Sequence, residues 1–290
     1  NALSAGRTDV SVGVPERADE IGQLAGTFET FRQGVEARAR LGRLKQELEV
    51  AARIQNQCLP QSFPRDPRAD FAATMRPAGD VGGDFYDVFE LPDGRIGCVI
   101  GDVSGKGMGA ALFMAISRTV IRSTALLSAD PADCLARAND YLCADNEAML
   151  FVTVFYAVLD PATGEVVYCN AGHNPPVAIA GGRPALLEPE TQPALGVWEE
   201  FPYEAGRLSL GAGDRLFFYT DGVTEAMNPA SEEFGETRLL ESFEAGTACT
   251  CAAGEIVAQV MTAVDAFAEG AAQSDDITCL AVCYRAGSGA

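Results

Sequence analysis

Four aspartates on four separate segments constrain this chain more than any other feature. They are Asp84, Asp102, Asp221 and Asp275, in residues 82–87 (GGDFYD), 101–107 (GDVSGKG), 219–222 (YTDG) and 274–278 (SDDIT). Carboxylates brought together repel one another, and without a cation between them some must take up protons. Oxygen-only sites favour Mg²⁺ or Mn²⁺. If the fold brings the four aspartates together, we predict that the chain is a metalloenzyme.

The first two aspartates flank a predicted β-hairpin. Residues 85–91 and 95–101 resemble strands, and residues 92–94 (PDG) between them have strong turn chemistry. A turn centred on Asp93 places Asp84 opposite Asp102. Directly opposed residues have Cβ atoms about 5 Å apart, which lets two carboxylates share a metal ion. A single aspartate beside glycine is usually a turn residue, so the prediction depends on the whole set.

The other two aspartates flank two further predicted strands. Asp221 follows residues 215–219, and Asp275 precedes residues 277–284. If these strands are antiparallel neighbours, both carboxylates lie at the same end of one sheet. The sequence therefore predicts one shared metal site.

Length and composition limit the classes of protein to which this chain can belong. The chain has 290 residues, of which 48% are hydrophobic, and a net charge of −20. This length allows one large core, or one domain with an appendage. No apolar run approaches the roughly 18 residues of a membrane span. The negative charge repels nucleic acid, so we expect no nucleic-acid partner.

The nine cysteines are odd in number and show no CxxC spacing. We interpret them as reduced, buried cysteines of a cytoplasmic protein rather than as disulfides or a zinc site. A cysteine phosphatase would need a His-Cys-x5-Arg loop. The single histidine, His173, is followed by Asn174, which excludes that chemistry.

Residues 1 to about 58 differ in pattern from the rest. After Pro15 no proline occurs until Pro60, and apolar residues recur at alternating steps of three and four, as in a coiled coil. The spacing changes phase between two runs, which are Ile21, Leu24, Phe28, Phe31 and Val35, then Leu41, Leu44, Leu48 and Ala51. We predict a helix that forms a homodimer. The alternative is one amphipathic helix packed on its own domain.

Three short strings near the start carry a resemblance to a signal-relay module. They are residues 2–6 (ALSAG), 10–12 (VSV) and 19–24 (DEIGQL). Residues 1–35 resemble the second half of a HAMP domain, which implies a first HAMP helix and a transmembrane segment upstream. The chain starts at Asn1 rather than Met, so we expect a fragment of a longer, membrane-anchored protein. The predicted domains are 1–35 (partial HAMP), 36–66 (coiled-coil helix and linker) and 67–286.

The remaining chain alternates hairpins with clustered helices. Predicted strands at 151–159 and 165–170 surround a PATG turn, and strands at 208–210 and 215–219 surround GAGD. Helices are predicted at 108–127, 131–143 with Asp130 as the cap, 236–244 and 252–268. Antiparallel hairpins with clustered helices predict an α+β fold rather than a parallel α/β fold.

Five strings in order carry a second and more specific resemblance. They are residues 81–87, 101–107, 170–176 (NAGHNPP), 219–226 (YTDGVTEA) and 275–278 (DDIT), preceded by 48–55 (LEVAARIQ) and Leu59-Pro60. Residues 48–285 resemble the metal-dependent protein phosphatase (PPM) family, and more narrowly its SpoIIE/RsbU-type branch. The resemblance implies a β-sandwich of two antiparallel sheets flanked by helices.

The resemblance also implies two Mn²⁺ or Mg²⁺ ions. By motif position Asp102 bridges both ions, the Val103 carbonyl helps to bind one, and Asp84 belongs to the same shell. Asp221 and Asp275 hold the other ion. A water between two dications is acidified and can attack phosphorus as hydroxide without a covalent enzyme intermediate.

Several positions stay open. Asp276 is the alternative to Asp275 as a ligand. Arg76 and Lys106 are candidates for binding the substrate phosphate, with a solvated strand arginine as the alternative for Arg76. Eukaryotic relatives carry a histidine after the bridging aspartate, where this chain has Val103, so the general acid is not identified. His173 is a candidate, but its turn motif favours a structural role.

The predicted function is a protein serine/threonine phosphatase in bacterial signalling. Its substrate, by resemblance, is a phosphorylated anti-anti-sigma-type (STAS) protein, and the N-terminal helix is predicted to control the metal site. One alternative is a non-catalytic signalling module with a degenerate phosphatase domain. Another is a diguanylate cyclase, because residues 82–85 (GGDF) partly match GGDEF. That string lacks the second acidic residue, and the other aspartates do not fit it.

Overall fold

The computed structural model describes residues 20–128, 130–144, 146–244 and 252–285. The chain divides into two compact units, residues 1–54 and residues 55–290. Most of the HAMP-like segment, residues 1–19, lies outside the described residues. Within the described ranges, no helix combines the length and the apolar character that crossing a membrane requires.

The described residues of the first unit all lie in one long helix, α1, which spans Glu20–Cys58. The predicted helix is confirmed, and it continues through the phase change in the apolar pattern. Large apolar side chains remain exposed along it, including Phe31 (65%), Leu41 (65%) and Leu44 (52%). Exposed apolar side chains at coiled-coil spacing are typical of a helix that pairs with another helix. The dimer itself stays a prediction.

The second unit contains ten strands among its described residues, in two five-stranded sheets. The strands are β1 (Ala69–Arg76), β2 (Phe85–Glu90), β3 (Ile96–Val103), β4 (Val152–Leu159), β5 (Glu165–Ala171), β6 (Val177–Ala180), β7 (Arg183–Leu186), β8 (Gly206–Ser209), β9 (Arg215–Tyr219) and β10 (Ile277–Tyr284). One sheet has the order β1-β10-β9-β6-β7, and the other has the order β2-β3-β4-β5-β8. Every strand pairing within the sheets is antiparallel.

Helices cover the outer faces of both sheets. They are α2 (Met108–Ala125), α3 (Pro131–Ala144), α4 (Asp221–Thr224), α5 (Gly235–Glu244) and α6 (Ala253–Ala268). Helices α2 and α3 pack on the β2–β5 side, and α5 and α6 pack on the sheet of β10. A third apolar cluster, which includes Ile100, Phe155 and Phe218, lies between the sheets. The predicted β-sandwich flanked by helices is confirmed.

Burial on both faces of the sheets explains why the central strands do not alternate between apolar and polar residues. All eight residues of β10 are buried, because one face of its sheet packs on helices and the other on the second sheet. The short hairpin β6–β7, whose strands have four residues each, is not among the predicted elements. Its turn, Gly181-Gly182, has positive φ at both residues (56° and 80°), as two-residue hairpin loops require. That dipeptide was the available signal.

The predicted hairpin register is also confirmed. Phe85 pairs with Gly101, so continuing the register by one residue sets Asp84 opposite Asp102. Strands β9 and β10 are antiparallel neighbours, with Tyr219 paired to Cys279. Asp221 and Asp275 therefore lie at the same end of their sheet, as predicted.

A buried ion pair holds α2 against β2. Asp87, 1% exposed, accepts from Arg118 and Arg122 of α2 at 2.8 Å each. The Arg122 guanidinium also lies 4.9 Å from the ring centroid of Phe89. Because α2 begins directly after residues 104–107, this contact fixes the helix that follows the second aspartate loop.

We expect Asp87→Ala to lower the free energy of unfolding by about 3 kcal/mol, because it leaves two arginines against β2 without their acceptor. Urea unfolding of the full chain measures this effect. Asp93→Ala is the control, since Asp93 pairs with Arg95 at the surface and its loss should cost about 1 kcal/mol or less. Equal losses in the two variants would contradict the structural role of the Asp87 pair.

Candidate metal centre

Asp84 is the most deeply buried of the four aspartates, at 1% exposed. Its Oδ2 accepts hydrogen bonds from Thr220 Oγ1 at 2.7 Å and from Thr278 Oγ1 at 2.6 Å. Asp84 immediately precedes β2, whereas Thr220 follows β9 and Thr278 lies in β10 of the other sheet. The Thr278 amide also donates to Thr220 Oγ1 at 3.0 Å. One carboxylate thus joins the ends of both sheets.

Asp102 lies near the end of β3, opposite Thr153 of β4. Burial raises its pKa to about 7, and the nearby charge of Asp221 adds to this effect. Burial also raises the pKa of Asp84 well above its usual range, with the charge of Asp102 as the second cause. The charge of Asp102 therefore disfavours the charged form of Asp84, whereas a hydrogen bond with Asp84 opposes the rise in the Asp102 pKa.

Asp221 and Asp275 complete the group from the other sheet. Burial raises the pKa of Asp221, and the charge of Asp275 raises it further. The Asp275 side chain is 36% exposed and its Oδ2 lies 2.9 Å from Lys106 Nζ. The Lys106 ammonium also donates to the Ser274 carbonyl at 2.7 Å. Lys106 thus lies beside the aspartates, and its binding of the substrate phosphate stays a prediction.

Asp276 has a different role from its neighbour. Its side chain is buried, with Oδ1 accepting from the Ala78 amide at 2.8 Å and Oδ2 from the Gly83 amide at 2.7 Å. A Cβ at Gly82 would collide with this carboxylate, which explains the glycine there. Both Asp276 oxygens are engaged with backbone, so the geometry favours Asp275 as the accessible member of the pair.

The Val103 carbonyl also faces this region. A Cβ built on Gly83 would lie 2.9 Å from the Val103 oxygen and 3.4 Å from Asp102 Oδ1. Only a glycine lets the Asp84 segment come this close to the end of β3. The predicted carbonyl ligand is therefore adjacent to both Asp84 and Asp102.

The donor set fits a hard divalent cation. Asp84, Asp102 and Asp221 all have raised pKa values, so negative charge at this end of the sandwich lacks the compensation that a dication supplies. Among the described residues, no three acidic, histidine or cysteine side chains are yet close enough together to hold an ion as they stand. The carboxylates lie at one end of the fold, but they do not surround a common point.

Arg76 and His173 have other partners. Arg76 pairs with Asp265 of α6 at 2.7 Å, and it lines a cavity with Gly222 and Ser274, the neighbours of Asp221 and Asp275. Its binding of the substrate phosphate stays a prediction. His173 is 5% exposed, and its Nδ1 is 2.8 Å from Thr153 Oγ1. Burial lowers the pKa of His173 to about 4, so the ring is neutral at pH 7. Because Thr153 Oγ1 also donates to the Asp102 carbonyl at 3.4 Å, His173 supports the strand that carries Asp102.

Three contributing residues were not singled out from the sequence. Thr220 and Thr278 lie inside the quoted motifs, and their position beside two aspartates was the available signal. Gln55, near the end of α1, is buried and makes two hydrogen bonds to Gly82. Its Oε1 accepts from the Gly82 amide at 3.0 Å, which fixes the segment that leads into Asp84.

Similarity to known proteins identifies the family of this chain. Residues 92–285 match the family model described as Stage II sporulation protein E (SpoIIE). The chain is 32% identical over 322 aligned positions to Protein IcfG of Synechocystis sp., covering 98% of this chain and 49% of that protein. It is 30% identical to the phosphoserine phosphatase RsbU of Bacillus subtilis over 183 residues, 63% of this chain and 54% of RsbU.

A solved structure shows the same fold. The RsbU and RsbW domains of Rv1364c from Mycobacterium tuberculosis superpose with a TM-score of 0.67 at 28% identity, covering 80% of this chain and 64% of that one. The chain belongs to the SpoIIE family, within the RsbU branch of the metal-dependent protein phosphatases. It spans about half the length of the curated relatives described above.

We expect Asp102→Asn to stabilise the metal-free protein at pH 8, because it removes a carboxylate whose charge is disfavoured in the fold. The raised pKa means that the native state holds the Asp102 proton more tightly than the unfolded state, in which the pKa is about 3.9. The stability of the metal-free wild type should therefore fall as pH rises from about 4 through about 7. Thermal melts with and without Mn²⁺ measure these effects.

Mn²⁺ should raise the melting temperature of the wild type by a few degrees and that of Asp102→Asn much less. An equal Mn²⁺ shift in both proteins would contradict Asp102 as a ligand.

We expect Asp275→Asn and Asp276→Asn to have opposite effects on protein stability and on Mn²⁺ binding. Asp276→Asn turns an amide donor toward a backbone N–H and should cost about 2 kcal/mol of stability. Asp275→Asn should change stability by less than about 1 kcal/mol but weaken Mn²⁺ binding at least tenfold. Chemical unfolding and calorimetric Mn²⁺ titration measure the two properties. The reverse pattern would make Asp276 the ligand.

Proposed function

We propose that this chain is a Mn²⁺- or Mg²⁺-dependent protein serine/threonine phosphatase of bacterial regulatory signalling. The observation that carries the proposal is that carboxylates from both sheets gather at one end of the sandwich. Asp84 and Asp102 come from one sheet, and Asp221 and Asp275 from the other. Membership of the SpoIIE family and similarity to a phosphoserine phosphatase support the same activity.

Two ions would account for the arrangement of donors. Asp102 interacts with both Asp84 and Asp221, so it would help to hold both ions. Asp84 and the Val103 carbonyl would complete one ion's shell, and Asp221 and Asp275 the other. Bound there, the ions would supply an acidified water for attack on phosphorus and positive charge for the phosphoryl oxygens.

The chain's own residues position these groups. Thr220 and Thr278 hold Asp84 in one orientation, and Lys106 offers an exposed ammonium beside Asp275 that would contact a phosphoryl oxygen. Hydrolysis breaks the phosphorus–oxygen bond of phosphoserine or phosphothreonine and forms a new one to the oxygen of water. The products are the side-chain hydroxyl and inorganic phosphate.

The partner proposed for this reaction is a phosphorylated STAS protein of the anti-anti-sigma type. Support comes from the similarity to RsbU and from the presence of an RsbW domain in the Rv1364c structure. We further propose that the protein acts in the cytoplasm as a homodimer through α1, anchored to the membrane by an upstream segment. A HAMP-linked signal would reach the metal centre through the end of α1, where Gln55 holds Gly82.

We expect Asp102→Ala to lower the rate of phosphate release from a phosphoserine peptide by at least about 10³-fold, because the ligand proposed for both ions is lost. Wild-type release should require Mn²⁺ or Mg²⁺ and stop on chelation. Asp93→Ala, in the exposed hairpin turn, is the control and should retain full activity. A wild type that releases no phosphate with either metal would favour the alternative, a non-catalytic signalling module.

We expect Leu44→Glu to weaken self-association of the full chain, because it sets a charge on the exposed apolar face of α1. Sedimentation velocity at several concentrations measures the monomer fraction. Gln46→Glu adds the same charge at an exposed position on the opposite side of the helix, and it should leave association unchanged. A wild type that is monomeric throughout would contradict the homodimer.

A further inference from the structure

Two loops of the phosphatase unit carry exposed apolar side chains close together. We refer to Met149, Phe151, Val197 and Trp198 as the rim surface. Their exposed fractions are 84%, 40%, 59% and 64% respectively. Met149, Phe151 and Val197 also line a cavity of about 430 Å³. Methionine and aromatic side chains are enriched in protein interfaces, and a cluster of them in contact with water suggests one.

Two asparagines hold these loops in place. Asn146 accepts from the Leu150 amide at 3.0 Å and donates to the Gly196 carbonyl at 3.2 Å, which joins the two loops. Asn139 is fully buried, accepts from the Gly196 amide at 2.9 Å and donates to the Trp198 carbonyl at 2.8 Å. The rim surface is therefore built on a fixed backbone, which lowers the entropy lost when a partner binds.

Met149 has a backbone conformation that its own packing does not explain. Its φ is 51°, in the left-handed region, which costs a non-glycine residue about 1 kcal/mol or more. The side chain that this conformation presents is exposed, so burial within the chain does not offset the strain. Strain held at an exposed apolar residue points to a binding role.

The rim surface is continuous with the metal centre. Phe151 donates its amide hydrogen to Ser104 Oγ at 3.0 Å, and the Ser104 amide donates to the Phe151 carbonyl at 2.9 Å. Ser104 directly follows Val103 and is two residues from Asp102. A protein whose phosphate enters the carboxylate group therefore lies against Phe151 and its neighbours.

Charge restricts the kind of partner that fits. Exposed carboxylates surround the rim surface, namely Asp140, Glu147, Glu199 and Glu200, in a chain of net charge −20. This field opposes the approach of a phosphorylated protein. Attraction must then come from apolar contact and from basic side chains opposite the carboxylates.

We infer that the rim surface is the docking site for the phosphoprotein substrate. This inference rests on the proposed phosphatase function. The occupant is a folded phosphoserine or phosphothreonine protein with an apolar patch beside its phosphorylated residue, flanked by lysine or arginine. Docking there gives affinity that the phosphate alone does not supply, and it selects among phosphoproteins.

The test compares two substrates for each variant, p-nitrophenyl phosphate and a phosphorylated STAS protein, with Mn²⁺. Met149→Asn is the main variant, because asparagine tolerates positive φ and keeps the loop. Trp198→Ala is the second. Leu127→Asn is the matched control, since Leu127 is 83% exposed and follows α2, whose 18 residues rise about 27 Å from the metal-centre loop.

We expect kcat/KM for the phosphoprotein to fall at least tenfold in Met149→Asn and Trp198→Ala, mainly through KM. Activity on p-nitrophenyl phosphate should be unchanged, and the control should match the wild type on both substrates. Unchanged phosphoprotein kinetics, or an equal loss on both substrates, would overturn the inference. So would loss of self-association in these variants, which would assign the rim surface to a second copy of the chain.

Failure of the proposed function has a different signature. A wild type that hydrolyses neither substrate rejects the phosphatase activity, and with it the docking site. A wild type that hydrolyses p-nitrophenyl phosphate but not the phosphoprotein keeps the activity and rejects both the substrate class and the docking site. Only wild-type hydrolysis of both substrates, with the selective loss in the variants, supports the rim surface.

Discussion

The burial of the Asp84 carboxylate between the ends of two sheets is the constraint on which the rest of this site depends. A charge removed from water is costly unless hydrogen bonds or a cation compensate it. Thr220 and Thr278 provide two hydrogen bonds from the opposite sheet, and Asp102 adds repulsion instead of relief. The fold thus aligns its two sheets around a group that a divalent cation would stabilise.

Two adjacent aspartates have different roles, because Asp276 holds backbone amides in place while Asp275 stays accessible to a ligand. Asp276 commits both oxygens to backbone amides 193 and 198 residues away in sequence, and so closes the segment that leads into Asp84. Asp275 stays accessible and contacts Lys106. Sequence alone does not separate these two carboxylates, because they are identical neighbours in one motif. Only contacts distant along the chain distinguish them, as also holds for the pairing of Arg76 with Asp265.

What the sequence did predict depended on local geometry. The PDG turn determined the register that opposes Asp84 and Asp102, because hairpin pairing follows from turn length. Helix bounds followed from periodicity and, at Asp130, from a cap that accepts from the Ala132 amide at 2.8 Å. The rim surface had no such signal, since exposed apolar residues in loops have no period. The homodimer also stays a prediction, because one helix with an exposed apolar face does not identify its partner.

Charge links the metal centre to the rim surface. The carboxylates that would hold the ions also make this end of the chain repel a phosphate, so substrate binding and metal binding are coupled by electrostatics. Two dications would reverse the sign of the field only near Asp102, because salt screens it within about 10 Å. Beyond that distance the exposed carboxylates around Trp198 still repel an anionic protein. Apolar contact is not screened by salt, and it can therefore select a partner where the field of the ions no longer acts.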